Sequence, residues 1–356
     1  MRLLIVNTEK TWRGGERQTL YNAIGFQQQG VQVDLLCRKT SPLADRARAE
    51  GITVHEVTGN IGTFWWFVRY GAGYDLIQAQ TGKAQTAAVA TKLFHRRPLV
   101  YTRRVNFMPT GWLTRLKYQK TDCVVAISQS VRQVLETFGL RNIPVIHDVV
   151  MPRSLHKQRA LDIIAPLLVG GKKIVATIAA VDQDKDPFTM LAAVKKLSLL
   201  RSDFVFLHFG DGPLTTQLQQ KIDELGLNNR YLLIGFVPDV EDMFSLMDVF
   251  CLSSREEGLG SSVLDAFAYQ VPVVSTNAGG LSELVDGRGF LCDVGDFEGI
   301  ALGIDQMLEN PAAFSALTDA AYRYVVSQHS LQATTEQYLD LFRLLIDGVG
   351  KYDNLT

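Results

Sequence analysis

Short apolar runs rich in β-branched and aromatic residues alternate along this chain with amphipathic stretches of helical length. Strands that carry few charges are covered on both faces, and parallel neighbours of that kind must be joined by crossovers, usually helical. The alternation therefore predicts an α/β chain of doubly wound parallel sheets wrapped in helices. In the first half, strands are expected near residues 2–7, 31–37, 52–57, 75–79, 99–102, 122–127 and 143–146, with helices such as Gln18–Gln29 and Ser130–Phe138 between most of them. In the second half, Lys173–Ala180, Phe204–Phe209, Tyr231–Phe236, Val249–Leu252 and Val271–Ser275 read as strands, and Leu331–Ile346 as one amphipathic helix. A length of 356 residues exceeds one ordinary core and implies two domains. The Pro- and Gly-bearing stretch from Met151 to Gly171 is the expected linker, which gives domains at 1–165 and 166–330 and a terminal helix in 331–356.

Several classes drop out early. With 47% apolar and 21% charged residues the chain has the composition of a soluble globular protein, and no apolar run approaches the roughly 18–20 residues of a membrane span. Met1–Val6 passes straight into polar sequence and reads as a first strand, not a signal peptide. Cys37, Cys123, Cys251 and Cys292 are widely spaced, as are the six histidines, so no metal site or redox pair is expected. Such cysteines fit small buried hydrophobes in a reducing cytoplasm.

The net charge of −1 conceals a split: residues 1–165 hold 23 basic against 11 acidic residues, and the remainder 13 against 26. A basic half is drawn to an anionic partner, whether nucleic acid, acidic lipid or a phosphorylated acceptor. Complementarity between the two halves is the plainer account. The stretch from Arg103 to Lys120 interleaves Arg103, Arg104, Arg115, Lys117 and Lys120 with Phe107, Trp112, Leu113 and Tyr118. Part of it is amphipathic, as in helices that lie on membranes, although a core helix with a solvated basic face has the same pattern. No nucleic-acid recognition motif accompanies the charge, so nucleic acid is not an expected partner.

The segment from 256 to 280, EEGLGSSVLDAFAYQVPVVSTNAGG, carries the chemistry. Glu257 precedes the loop Gly258-Leu259-Gly260, then Ser261 and Ser262 open a helix that contains Asp265. Glycines let a ligand approach backbone, and a helix start presents free amides to an anion. Asp265 suits a vicinal diol, as acids do on ribose in other nucleotide folds. It also fits the last position of a capping box that begins at Ser262. This segment resembles the signature of the family 4 retaining glycosyltransferases of GT-B fold, in which Glu, seven residues, then Glu bracket a glycine loop. Asp265 is one methylene shorter than the family's second acid. The stretch from Phe206 to Pro213 is similar to the family's strand and Gly-Asp-Gly-Pro turn, placing Gly210 at the donor. The stretch from Leu232 to Val240 is similar to its nucleobase-side strand and loop, around Val237. Gly14-Gly15, which is not a dinucleotide fingerprint, resembles the family's first glycine loop.

That resemblance implies two facing Rossmann-like domains, the first for acceptor and the second for a nucleotide-sugar donor, with the terminal helix crossing back to the first. It implies transfer of a sugar from a UDP- or GDP-hexose with retention and without metal or other cofactor. Glu257 would orient the sugar, Lys185 and the Gly258–Ser262 amides would hold the diphosphate, Gly15 would close the cradle, and Asp265 would bind ribose. The family also places an arginine five residues before Lys185, where this chain has Ala180. Arg255, Arg103 and Arg104 are the candidates to replace it, each alternatively an acceptor contact. The expected acceptor is a membrane-anchored glycan such as a lipopolysaccharide core, reached from the cytoplasm or the cytoplasmic face of the inner membrane. A nucleotide-sugar epimerase of the same fold, or a non-catalytic nucleotide-sugar sensor, is the alternative.

Overall fold

The computed structural model describes residues 1–167 and 170–348. It divides into two compact units, one of Met1–Met151 together with the chain from Gln328 onward, the other Pro152–Ser327. In the first, β1 (Arg2–Asn7), β2 (Gln32–Arg38), β3 (Thr53–Val57), β4 (Leu76–Ala79), β5 (Leu99–Arg103) and β6 (Cys123–Ala126) form a parallel sheet in the order β3-β2-β1-β4-β5-β6. In the second, β7 (Lys173–Ile178), β8 (Phe204–Phe209), β9 (Tyr231–Gly235), β10 (Val249–Leu252), β11 (Val273–Thr276) and β12 (Phe290–Cys292) repeat that order as β12-β11-β10-β7-β8-β9. Each sheet therefore reverses its winding next to its first strand, at the β1/β4 and β7/β10 pairs. Such a switch point opens a crevice beyond the carboxyl ends of the strands.

Strand sequence follows from this burial. β1 reads RLLIVN, and Leu3 to Val6 are all inaccessible because helices cover both faces of the sheet. Leu3 and Ile5 point into a core with Val33, Leu35, Leu76 and Val100, against the helix Gly14–Gln28. The same core takes in Tyr338, Leu339, Leu341, Phe342 and Leu345 from the helix Leu331–Ile346. Phe26 meets Tyr338 edge-on at 6.0 Å and Phe342 at 5.4 Å. A Cβ on Gly25 would lie 2.2 Å from Thr335 Oγ1, so the two helices cross where one has no side chain. The chain leaves this unit and returns to it side by side: Val150 N donates to His329 O at 2.9 Å, and His329 Nδ1 bonds Asp148 O at 2.8 Å.

Two expectations need correction, and one strand was not anticipated. Residues 143–146 do not form a strand; Ala126 and Val145 make a single bridge there, beside Pro144, which has no N–H to give. β12 is only three residues long, too short for a period to show in the sequence. The stretch expected to be a linker holds a helix, Lys157–Ile164, and belongs to the second unit, so the division falls at Met151/Pro152 and not at 165/166. Arg153 ties it down through Asp242 at 2.9 Å, and Arg159 reaches Asp239 at 3.4 Å. Residues 168 and 169 of that stretch lie outside the described residues.

All four cysteines are free thiols in buried positions. His208, on β8, is likewise interior: Tyr231 donates to its Nδ1 at 2.8 Å and its Nε2 faces Ala179 O at 3.1 Å. A neutral ring with its proton on Nε2 satisfies both partners, and burial pushes the pKa down to about 4.

Two outcomes follow. Phe342→Ala should lower stability by about 3–5 kcal/mol in urea unfolding, whereas Leu344→Ala on the solvent side of the same helix should stay within about 0.5 kcal/mol. Equal effects would mean that this helix does not dock as described. For His208 the folded pKa lies below the unfolded one of about 6.5, so the unfolded chain binds the extra proton. Stability should fall as pH drops from about 6.5 towards 4. The Tm of a His208→Gln variant should decline less over that window than wild type.

Candidate active site

The second unit gathers its chemistry where β7, β10 and β11 end. The loop after β7 carries Asp182 to Asp186 and is tied back at several points. Asp182 Oδ1 accepts from Lys185 N at 3.2 Å, and Ser253 Oγ donates to Lys185 O and Asp186 O at 3.0 and 2.9 Å. Asp186 is buried with φ 44°, caps the helix Pro187–Leu200, and accepts from Thr189 Oγ1 at 2.7 Å. These contacts fix the backbone under Lys185, whose ammonium forms an ion pair with Glu257. Glu257 also accepts from Ser254 Oγ at 3.3 Å. The lysine and the first acid of the motif are thus joined directly, although 72 positions separate them.

Beyond Glu257 the chain makes the tight loop Gly258–Gly260 and enters the helix Ser261–Ala268. Gly280 makes room for it, because a Cβ there would lie 2.3 Å from Gly258 O. Gly280 N donates to Glu257 O at 3.0 Å, so the β11 loop braces this turn. The N-cap is Gly260, at φ 101°, where a side chain would be strained. Ser262 is therefore inside the first turn, and the capping box that would have given Asp265 a purely structural role is not formed. Asp265 sits in the second turn, buried. The amides of Ser261 and Ser262 lie among the helix's first four N–H groups, which have no intrahelical acceptor, and the helix dipole favours an anion there.

Ala180 follows β7, held against the glycine turn after β8. Ala179 N donates to Phe209 O at 3.0 Å and Val181 N to Asp211 O at 3.2 Å. At Gly210 (φ 133°) a Cβ would lie 2.1 Å from Ala179 O, so only glycine permits this approach. Asp211 goes on to accept from Phe236 N at 2.9 Å, which orders the loop bearing Val237. Of the arginines considered as replacements for the cation missing at Ala180, Arg255 alone belongs to this cluster. Its N donates to Asp184 O at 2.7 Å and its Nε to Asp186 Oδ2 at 2.7 Å, leaving the rest of a side chain that is 63% exposed open to solvent.

The other predicted residues fall in the first unit. Gly14 and Gly15 open the helix Gly14–Gln28, and Glu16 turns back to accept from Arg13 N at 3.0 Å. Burial raises the Glu16 pKa above the ordinary range of a glutamate. A Cβ on Gly15 would meet nothing within 4 Å, so packing does not require a glycine there. Gly15, Arg103 and Arg104 all line one cavity of about 750 Å³, with Gln80, Phe107 and Lys117. Arg104 Nε pairs with Asp148 Oδ1 at 3.0 Å. The helix Trp112–Gln119 buries only Tyr118, while Trp112 is 75% exposed, so it is not a core helix.

Sequence reasoning passed over the residues that hold the site in shape: Asp182, Asp186, Ser253, Ser254 and Gln80. A signal existed for Asp186, because Asp-Pro before an apolar run marks a helix start. None existed for Ser253, whose role depends on a loop more than 60 positions away, or for Ser254, whose role is a bond to Glu257.

Residues 12–152 match the model of Glycosyltransferase Family 4, and residues 160–324 that of Glycosyl transferases group 1. The lipopolysaccharide core biosynthesis glycosyltransferase LpsE of Rhizobium meliloti (strain 1021) is 30% identical over 234 residues, 64% of this chain and 66% of that one. N-acetyl-alpha-D-glucosaminyl L-malate synthase of Bacillus anthracis is 25% identical over 237 residues, 65% and 61% of the two chains. The chain thus spans slightly less than two thirds of the length of these curated relatives. Among solved structures, Anabaena Alr3699/HepE in complex with UDP and glucose superposes with a TM-score of 0.85, at 21% identity over 96% of this chain and 99% of that one. Two parallel six-stranded sheets of one topology and two family models that together span most of its length place this chain in the glycosyltransferases of GT-B fold.

Proposed function

We propose that the protein is a retaining, metal-independent hexosyltransferase that uses a UDP- or GDP-hexose and acts on a membrane-anchored envelope glycan of the lipopolysaccharide-core type. The observation that carries this reading is the Lys185–Glu257 ion pair beside the Gly258–Ser262 loop. In such a transfer the bond between the anomeric carbon and the diphosphate oxygen breaks, and negative charge gathers on the leaving group. The acceptor hydroxyl adds on the same face, and its proton passes to the departing diphosphate. Lys185, the helix amides of Ser261 and Ser262 and the open edge of Arg255 are the groups suited to that charge. Glu257 is already engaged by a cation and a serine, which suits orienting sugar hydroxyls better than nucleophilic attack. Asp265, buried in the second turn of the helix, is the acid we assign to ribose. The name of the Rhizobium relative and the UDP and glucose of the HepE structure support the acceptor and donor classes.

A membrane partner is supported by one face of the first unit. Residues 58–121 contain ten Lys and Arg but a single acid, Asp75. The helices Gly59–Tyr70, Gly82–Ala90 and Trp112–Gln119 from this stretch pack in a row. That row and the short helix Lys92–His95 expose Ile61, Trp65, Leu93, Phe94, Trp112 and Leu113 among the cations. Apolar side chains enter a lipid interface, and each nearby cation adds about 1 kcal/mol on an acidic surface.

Glu257→Gln should lower sugar transfer by about 10²-fold or more, while UDP still raises the Tm of the variant as it does that of wild type. Near-normal transfer would remove Glu257 from the chemistry, and an isomerised donor formed without acceptor would favour the epimerase. Vesicles rich in phosphatidylglycerol should retain the protein at low salt and release it at high salt, with Trp65→Ser and Trp112→Ser binding more weakly. Failure to sediment with acidic vesicles at low salt would overturn the membrane assignment.

A further inference from the structure

One buried cation of the first unit lacks an anion. Arg103 ends β5 and is only 3% exposed. Its Nη1 donates to Tyr118 Oη at 2.5 Å, its Nη2 donates to the Phe107 carbonyl, and the Phe107 ring lies 5.1 Å from the guanidinium carbon. Among the described residues no carboxylate forms an ion pair with it, and its Nε is buried without a partner. Desolvating an ion costs several kcal/mol, so interior cations normally lie against an acid.

The surroundings accentuate the deficit. Arg104 Nη2 and Gln80 Nε2, from two more residues lining the same cavity, are also buried and unpartnered. All three orphaned atoms are donors. Lys117 lines the cavity too, and its pKa is held down first by burial and then by Arg103, a second cation. The two carboxylates at the cavity wall are engaged elsewhere, Glu9 with Lys83 at 3.1 Å and Glu16 with Arg13 N and Asn7 Nδ2. Tyr101, Phe107 and Met108 supply apolar surface beside the cations.

We propose that this cavity is a subsite for a phosphate monoester carried by the acceptor saccharide. Arg103, Arg104 and Lys117 would neutralise the dianion, Gln80 would donate to it, and Phe107 would lie along the sugar ring. A phosphate offers three oxygens to several donors at once, which suits three cations better than a single carboxylate does. The assignment rests on the glycosyltransferase reading for the word acceptor, but the binding itself is independent of any donor.

The test titrates the intact protein with glucose 6-phosphate, glucose, inorganic phosphate and UDP, following Tm and calorimetric heat. Glucose 6-phosphate should bind saturably, about tenfold or more tighter than glucose or inorganic phosphate. Lys117→Gln and Arg103→Gln should lose that preference with UDP binding unchanged. If Arg103→Gln fails to fold, Lys117→Gln, on a partly exposed side chain, decides alone. Equal binding of glucose and glucose 6-phosphate, or of inorganic phosphate and glucose 6-phosphate, would overturn the proposal. So would loss of UDP affinity in Lys117→Gln, which would assign these cations to the donor. Failure of UDP to bind wild type would count against the donor reading, whereas an intact UDP response without any response to glucose 6-phosphate would count against this subsite.

Discussion

Parallel pairing is the constraint from which the rest of the molecule follows. Every strand in both sheets runs in the same sense as its neighbour, and each must be regained by a crossover through a helix. The carboxyl ends of the strands consequently share one edge of each sheet, and all the loops with polar chemistry emerge there. Gly15 follows β1, Gln80 follows β4 and Arg103 ends β5 in the first unit; Lys185, Gly210, Glu257 and Gly280 follow β7, β8, β10 and β11 in the second. Strand interiors can then be largely apolar, with the buried Asp34 in β2 as a charged exception held by Arg2 and Tyr74.

The two units treat that charge differently. In the second, the cations beside the glycine loop are matched locally, Lys185 by Glu257 and Arg255 by Asp186. A nucleotide would enter a site already balanced, exchanging one anion for another on the same cation. In the first unit Arg103 has no such match, and Arg104 retains an unused donor after pairing with Asp148. The imbalance of 23 basic to 11 acidic residues in the first 165 thereby acquires definite locations, one inside a cavity and one across a helix row.

Much of the fold was legible because fully buried strands announce themselves. Phe204–Phe209 and Val249–Leu252 lie where their apolar runs begin and end, and the helix Leu331–Ile346 starts and stops at its periodic residues. What could not be read depended on distance. The glycine loop was visible in the sequence, but the ion pair that joins Lys185 to Glu257 is set by the adjacency of β7 and β10, which no local pattern encodes. The misjudged linker is the same case. Proline and glycine marked a break, while the helix beyond Pro152 is fixed by Asp239 and Asp242, about 80 positions further on. Capping chemistry offered an alternative that fails for a local reason, since Ser262 and Asp265 have the right spacing for a box that Gly260 pre-empts by starting the helix earlier.

The return of the chain through His329 to the helix Leu331–Ile346 makes the second unit an insertion into the first, opened at Val150 and closed by the Val150–His329 bond. During synthesis the second unit is complete while the first still lacks the layer that covers Phe26. The earlier-made half must therefore wait with an apolar helix face unprotected until the helix Leu331–Ile346 leaves the ribosome. Assembly runs from the middle of the chain outward, and a release of the nascent chain before Phe342 would spare the later-made unit while leaving the first one open to aggregation.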